Sequence, residues 1–220
     1  MKHNLIILLG VQGSGKGTVA KELLSIYKDR NTDIKYVETG AIFRRELKAE
    51  TELGKTAAEY MQKGLLVPDD LTFKIVQTEL ATGADILTDG FPRNRAQAKM
   101  LVDWAAENNF TTKVVLLHIT REMAEQRILK RISQGAGRAD DNDPTAVAKR
   151  LDTYYAETEP MEEYLRNAPG IEFLTVDGGR AEEVVLTDIL SKLGITATPE
   201  QFDAAISITK FAWGETRPSQ

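Results

Sequence analysis

The sequence predicts an α/β fold of three layers: a five-stranded parallel sheet between helices, built round a phosphate-binding loop (P-loop). Three observations carry this expectation. Short apolar runs at 4–10, 34–38, 84–89, 113–120 and 171–177 are mostly continuous rather than alternating, as strands buried on both faces should be. Helical patterns separate them, so each strand would cross over to a parallel neighbour. A glycine-rich stretch, Gly10-Val11-Gln12-Gly13-Ser14-Gly15-Lys16-Gly17-Thr18, follows the first run and opens a helical segment from Thr18 towards Tyr27.

Size and composition bound the possibilities. A chain of 220 residues suits one sizeable α/β domain with small inserted lobes. A net charge of -5 argues against general nucleic-acid binding, while leaving room for local basic clusters that hold phosphates. There is no cysteine, which excludes disulfides and cysteine-ligated zinc and fits a reducing cytoplasm. The apolar runs are strand-sized, short of the ~20 residues of a membrane span. Met1-Lys2-His3-Asn4 leads directly into the first strand, so no signal peptide is expected.

The glycine loop comes first in the chain. Glycines reach positive φ and let successive N–H groups converge on an anion without a Cβ in the way. The following helix points its positive end at the same anion. Lys16 adds a mobile cation for the outer phosphates. The usual hydroxyl directly after the lysine is displaced by Gly17 onto Thr18. A plain glycine-rich turn with a surface lysine is the alternative, and the strand before and helix after it argue against that.

Beyond the second run, residues 40–80 hold two or three helical patterns punctuated by Gly54 and Gly64, which reads as an inserted lobe. The third run ends in Asp89-Gly90-Phe91-Pro92-Arg93. A carboxylate at the tip of an inner strand sits where open parallel sheets bind ligands, and beside a phosphate loop it suits Mg²⁺, held directly or through water. Residues 131–142 are glycine-rich and polar, with arginine near both ends, and read as a short loop. Asp143-Pro144 should then start a helix, and Pro160 should kink or end it after Glu159. The remaining segments, 1–39, 81–130 and 143–194, make the core.

Six arginines, Arg44, Arg93, Arg127, Arg131, Arg138 and Arg150, form the third chemical group. A lone arginine is ordinarily a solvated surface cation. Together they suit phosphoryl transfer, where converging cations stabilise charge on the migrating group. Arg127 and Arg131 share a helix face. Asp140 and Asp141 could pair with the loop arginines and position them. No general base stands out, and an anionic phosphate acceptor needs none. His3 and His118 read as structural.

These residues resemble the adenylate kinase family, within the nucleoside monophosphate kinases, over about residues 4–193. The motifs are GVQGSGKGT at 10–18, ETGAIFRR at 38–45, KGLLVPDD at 63–70, DGFPRNRAQ at 89–97 and GRADDN at 137–142. The resemblance implies a core with an AMP-binding lobe at 40–80 and a short ATP lid at 131–142. It also implies the reaction ATP + AMP = 2 ADP with Mg²⁺. Gly13, Ser14, Gly15, Lys16, Gly17 and Thr18 would cradle ATP phosphates, with Arg127 and backbone near Gly178 and Arg180 at the ATP base. Thr39, Arg44, Leu65, Leu66, Val67 and Gly90 would hold AMP, and Gln97 would read its adenine. Arg93 would bridge the two nucleotides' phosphates, Arg131, Arg138 and Arg150 would clamp them, and Asp89 would organise Mg²⁺ through water. Gln12 and Ala41 replace the family's usual proline and aspartate, and the interval from Arg138 to Arg150 is one residue longer than usual. The lid is the short form, without the cysteines of a structural zinc site. A monomer acting on ATP, AMP and ADP, with no nucleic acid and no membrane, is expected. The alternatives are a UMP/CMP kinase on the same fold, which Asn94 favours and Gln97 and Thr39 disfavour, and a catalytically weak nucleotide-binding regulator.

The family pattern ends near a helix at 181–193, and residues 195–220 continue past it. Gly194 reads as that helix's C-cap. Thr198-Pro199-Glu200-Gln201 reads as a fresh start with a capping box. Phe202, Ala205, Ile206, Thr209 and Trp213 follow at helical spacing. The expectation is an added helix over about 199–212, docked on the core and purely structural; docking on a partner subunit is the alternative.

Overall fold

The computed structural model describes residues 2–80, 83–135 and 143–210. Five strands, β1 (His3–Leu9), β2 (Ile34–Glu38), β3 (Asp85–Asp89), β4 (Phe110–His118) and β5 (Ile171–Asp177), form one sheet in the order β2-β3-β1-β4-β5. All of its pairings are parallel. The helices are α1 (Lys16–Asp29), α2 (Thr39–Lys48), α3 (Glu52–Gln62), α4 (Asp69–Leu80), α5 (Arg95–Glu107), α6 (Arg121–Ser133), α7 (Pro144–Thr153), α8 (Glu159–Asn167), α9 (Glu182–Leu193) and α10 (Pro199–Lys210). No helix among the described residues is long and apolar enough to cross a membrane.

The continuous apolar runs are explained by β1. Leu5, Ile7 and Leu9 face one layer with Ile86, Val114, Leu101 of α5 and Leu165 of α8. Ile6 and Leu8 face the other with Leu87, Val115, Leu23 of α1 and Ile189 of α9. Successive side chains alternate between faces, and both faces are covered.

Three boundaries differ from the sequence expectation. Helix α1 begins at Lys16 rather than Thr18, because Gly15 in the left-handed region already serves as its N-cap. Strand β4 begins at Phe110, since His3 pairs with Phe110 and Asn4 with Thr111, and the polar threonines there hid the strand. It ends at His118 rather than 120 because Thr120 caps α6, its hydroxyl accepting from the Met123 N–H at 3.3 Å.

Of the two outcomes the sequence allows at Pro160, a kink or an end, the helix does not end there. Asp143 caps α7, accepting from the Thr145 N–H at 2.8 Å. The chain then passes through a π-helical turn, Tyr154–Thr158, and Pro160 lies in the first turn of α8. The missing proline N–H is accommodated by the wider turn before it, so the helical path continues instead of ending.

Inside 40–80, α2 and α3 meet closely at Gly54, where a Cβ would lie 2.2 Å from the backbone of Glu46 and Leu47. Phe43, Ala57 and Val67 form a small apolar cluster of their own there. Val76 and Leu80 of α4 pack into the main core.

At the other end, Gly194 (φ 70) terminates α9. Thr198 and Gln201 then cap α10 reciprocally: Thr198 N–H donates to Gln201 Oε1 at 3.0 Å, and Gln201 N–H to Thr198 Oγ1 at 3.3 Å. Ala205 and Ile206 are buried in the cluster that contains α1 and α9. Trp213, counted with this apolar face, lies outside the described residues.

Strand β1 connects towards β2 while its neighbour β4 connects outward to β5. The two connections diverge, and a crevice opens at the carboxyl ends of the strands.

Candidate active site

A cleft of about 820 Å³ occupies that crevice. Its floor is the loop after β1. Gly10, Gly13 and Gly15 have φ of 142, 89 and 101°, values that side chains resist. At Gly10 a Cβ would lie 2.5 Å from the Leu117 carbonyl, so the loop can lie against β4 only with glycine there. No side chain caps the start of α1, which leaves its first N–H groups to whatever occupies the cleft. Ser14 Oγ is buried and has no hydrogen-bond partner among the described residues. Lys16 Nζ donates to the carbonyls of Gly10 at 2.7 Å and Val11 at 3.1 Å, folded over the rim of the loop. A cradle of N–H groups, an orphaned hydroxyl and an ammonium fit a polyphosphate.

The cleft brings together most of the residues singled out from sequence. Gly13 through Thr18, Asp89, Gly90, Arg93, Arg44, Arg127, Arg131, Arg150, Gly178, Arg180, Leu65 and Leu66 all line it. Arg127 spans its far wall, donating to the Gly178 carbonyl at 2.8 Å and the Gly13 carbonyl at 3.3 Å. That ties α6, the phosphate loop and the loop after β5 into one surface. The Arg180 side chain donates to Asp188 Oδ2 at 2.6 Å. Asp89, at the tip of β3, is 6% exposed and accepts from the Tyr36 hydroxyl at 3.3 Å. Tyr154 also borders the cleft and donates to Glu162 Oε1 at 2.6 Å. Burial and the negative Glu162 push its phenol well up, so it stays neutral.

A second, smaller pocket of about 40 Å³ adjoins the first. Thr39, Gly40, Phe43, Leu65, Leu66, Val67, Gly90, Arg93 and Gln97 line it. Gly90 and Arg93 belong to both walls. Gly90 (φ 81) is hemmed in: a Cβ there would lie 2.9 Å from Thr39 Oγ1. Its carbonyl accepts from the Thr39 hydroxyl and from Arg93 Nε, each at 2.8 Å. One carbonyl thus orients both a pocket hydroxyl and the guanidinium between the pockets.

Sequence reasoning missed several residues that hold this site. Glu38 Oε1 accepts from Arg44 Nη2 at 2.7 Å and aims that guanidinium across the mouth. Its place in the ETG motif, one residue before Thr39, was the available signal. Asp69 and Asn94 brace Gln97, whose Nε2 donates to Asp69 Oδ1 at 2.7 Å. The extension, read as purely structural, contributes Thr209 to the cleft wall beside Glu22 and Glu182. Three predicted residues, Arg138, Asp140 and Asp141, lie outside the described residues.

Comparisons with known proteins agree with this geometry. The family described as "Adenylate kinase" matches residues 8–169. The adenylate kinase of Porphyromonas gingivalis is 37% identical over 185 residues, covering 82% of this chain and 91% of the relative. That of Thermoanaerobacter sp. is 35% identical over 219 residues, covering 86% and 97%. That of Flavobacterium psychrophilum is 36% identical over 195 residues, covering 86% and 98%. With a family match over most of its length and a phosphate loop joined to a second pocket through Gly90 and Arg93, the chain belongs to the adenylate kinase family.

Proposed function

We propose that this protein catalyses reversible phosphoryl transfer, ATP + AMP = 2 ADP. The observation that carries the reading is the pair of adjoining pockets that share Gly90 and Arg93. ATP occupies the large cleft with its phosphates on the loop 10–18. AMP occupies the small pocket, its base against Gln97 and its phosphate towards Arg44 and Arg93. The acceptor oxygen is already an anion, so the enzyme needs position and charge rather than a base. Lys16 leaves the Gly10 carbonyl to follow the transferred group, and Arg93, Arg131 and Arg150 spread positive charge round it. Arg138 joins them from the lid, with Asp140 and Asp141 positioning it. Residues 40–80 and 131–142 close over the substrates and exclude water that would otherwise hydrolyse ATP.

Mg²⁺ is the cofactor this chemistry uses, and Asp89 fits it: a hard cation on nucleotide phosphates takes one or two carboxylates and keeps several waters. Asp89 at the tip of β3, steadied by Tyr36, would hold the ion through its water shell. The ion would neutralise phosphate charge.

Measuring ADP formation from ATP with AMP, UMP, CMP or GMP as acceptor tests the reading. AMP should be used best, because the Gln97 amide matches the adenine edge. A preference for UMP or CMP would replace AMP with a pyrimidine acceptor, and no turnover with any of the four would make the protein a nucleotide sensor.

A further inference from the structure

The two ends of the Gln97 side chain have different neighbours, and those neighbours leave it no choice of orientation. Asp69 Oδ1 lies 2.7 Å from Gln97 Nε2, and a carboxylate can only accept. The Arg93 backbone N–H lies 2.9 Å from Gln97 Oε1, and an N–H can only donate. The same Asp69 oxygen accepts from Asn94 Nδ2 at 2.8 Å, and Asn94 Oδ1 accepts from the Gln97 backbone N–H at 2.9 Å. Gln97 is 1% exposed, so water does not compete for these places. Flipping the amide would set its carbonyl against a carboxylate and its NH₂ against an N–H, losing two hydrogen bonds and creating two repulsions. An amide offers two N–H bonds and two lone pairs, and this network uses one of each. One donor and one acceptor, in fixed places, remain for the pocket.

We infer that Asp69 is a specificity-determining positioning residue: by accepting from Gln97 Nε2 it fixes the amide in the orientation that selects a 6-aminopurine over a 6-oxopurine acceptor. The inference rests on the proposed reading that Gln97 faces the acceptor base. Adenine presents an amino donor at position 6 beside an acceptor at N1. Hypoxanthine presents the reverse, a carbonyl beside an N–H. An amide free to turn over could serve either base; one held by Asp69 and Arg93 serves only the first. Recognition through a fixed polar pattern discriminates strongly, because the wrong partner leaves buried groups unpaired.

Asp69→Asn tests this with almost no change of shape. Its side chain can turn an NH₂ as well as an oxygen towards Gln97, so the flipped amide is opposed by the Arg93 N–H alone and the preference for one orientation weakens. Inosine monophosphate is the probe, since it differs from AMP at that edge and adds no bulk. The ratio of kcat/KM for AMP to that for inosine monophosphate should fall at least ~10-fold, with KM for ATP held within about twofold. Asp69→Glu keeps an acceptor-only group and should keep most of the discrimination, even where KM for AMP rises. If Asp69→Asn folds poorly, Asp69→Ser, well suited to a helix start and able to donate or accept, must lose the discrimination too. An unchanged ratio in variants with only a lowered melting temperature would reduce Asp69 to a structural brace and overturn the inference. Wild-type protein that forms no ADP from ATP and AMP would instead overturn the proposed reaction, a distinguishable result.

Discussion

The Thr209 hydroxyl lies 3.1 Å from Glu22 Oε1, although 187 residues separate them. It joins the last described turn of α10 to α1, one and a half turns after the phosphate loop. Both side chains are almost fully buried. The C-terminal helix is therefore docked on its own chain, through Ala205, Ile206 and this polar contact.

Truncation after Leu193 should lower the melting temperature. Burying an isoleucine contributes about 1.5–3 kcal/mol before entropy losses, and a kcal/mol moves the midpoint about 2–4 °C in a protein of this size. A fall of at least ~5 °C is expected by calorimetry. Thr209→Val should account for part of it, about 1 kcal/mol, since it keeps the volume and leaves Glu22 Oε1 without its donor. A truncated protein as stable as the full chain would contradict the docking.

Stability should also depend on pH through Glu22. Burial, and then the Glu182 carboxyl beside it, push Glu22 up to about 9 from 4.5. Glu22 Oε2 and Glu182 Oε1 each lack a hydrogen-bond partner among the described residues, so a proton between them satisfies both. The folded state thus binds a proton that the unfolded chain releases near 4.5. That contribution is complete below the unfolded value and is lost progressively as pH rises towards about 9. Glu22→Gln, which needs no proton, should flatten the fall in melting temperature across this window and leave the variant more stable than wild type at pH ~9. Parallel profiles for the two proteins would refute the shared proton.

Lys16→Met should cut kcat by at least ~10²-fold while leaving the melting temperature nearly unchanged. The ammonium rests on loop carbonyls at 2.7 and 3.1 Å, and when it is lost the Val11 carbonyl still accepts from the Ser14 N–H at 3.0 Å. Near-normal turnover would refute the role given to the lysine.

Gln97→Leu should raise KM for AMP about 10-fold or more and leave KM for ATP within about twofold. The pocket it lines contains no residue of the phosphate loop and shares Arg93 with the larger cleft. Some loss of stability is expected as well, because Asp69 and the Arg93 N–H lose a partner each. Equal effects on both substrates would show that Gln97 does not read the acceptor base.

Much of this molecule was legible in its sequence, for a local reason. Strand-sized apolar runs, the Gly10–Thr18 loop, the Asp143 cap and the Thr198/Gln201 capping box are settled by residues within a few positions of one another. The phosphate loop and Asp89 could be placed together in advance, because a parallel sheet puts every strand's carboxyl end on one edge, whereas Thr39, Leu65, Leu66, Gly178 and Arg180 were expected from the family resemblance. The tertiary structure decided what depends on partners far apart in the chain. Asp69 is 28 residues from Gln97, and its effect exists only because α4 packs beside α5. Phe110-Thr111-Thr112, two of them polar, became strand because β1 was there to pair with them. The helical path through Pro160 needed a π turn that no local propensity announces. Glu22, to all appearance a surface residue of an amphipathic helix, became a buried acid because α9 brought Glu182 and α10 brought Thr209 against it. Short-range geometry is written in residue order; a long-range contact has no signature in either partner until folding places both, and only then do its hydrogen bonds and desolvation costs exist.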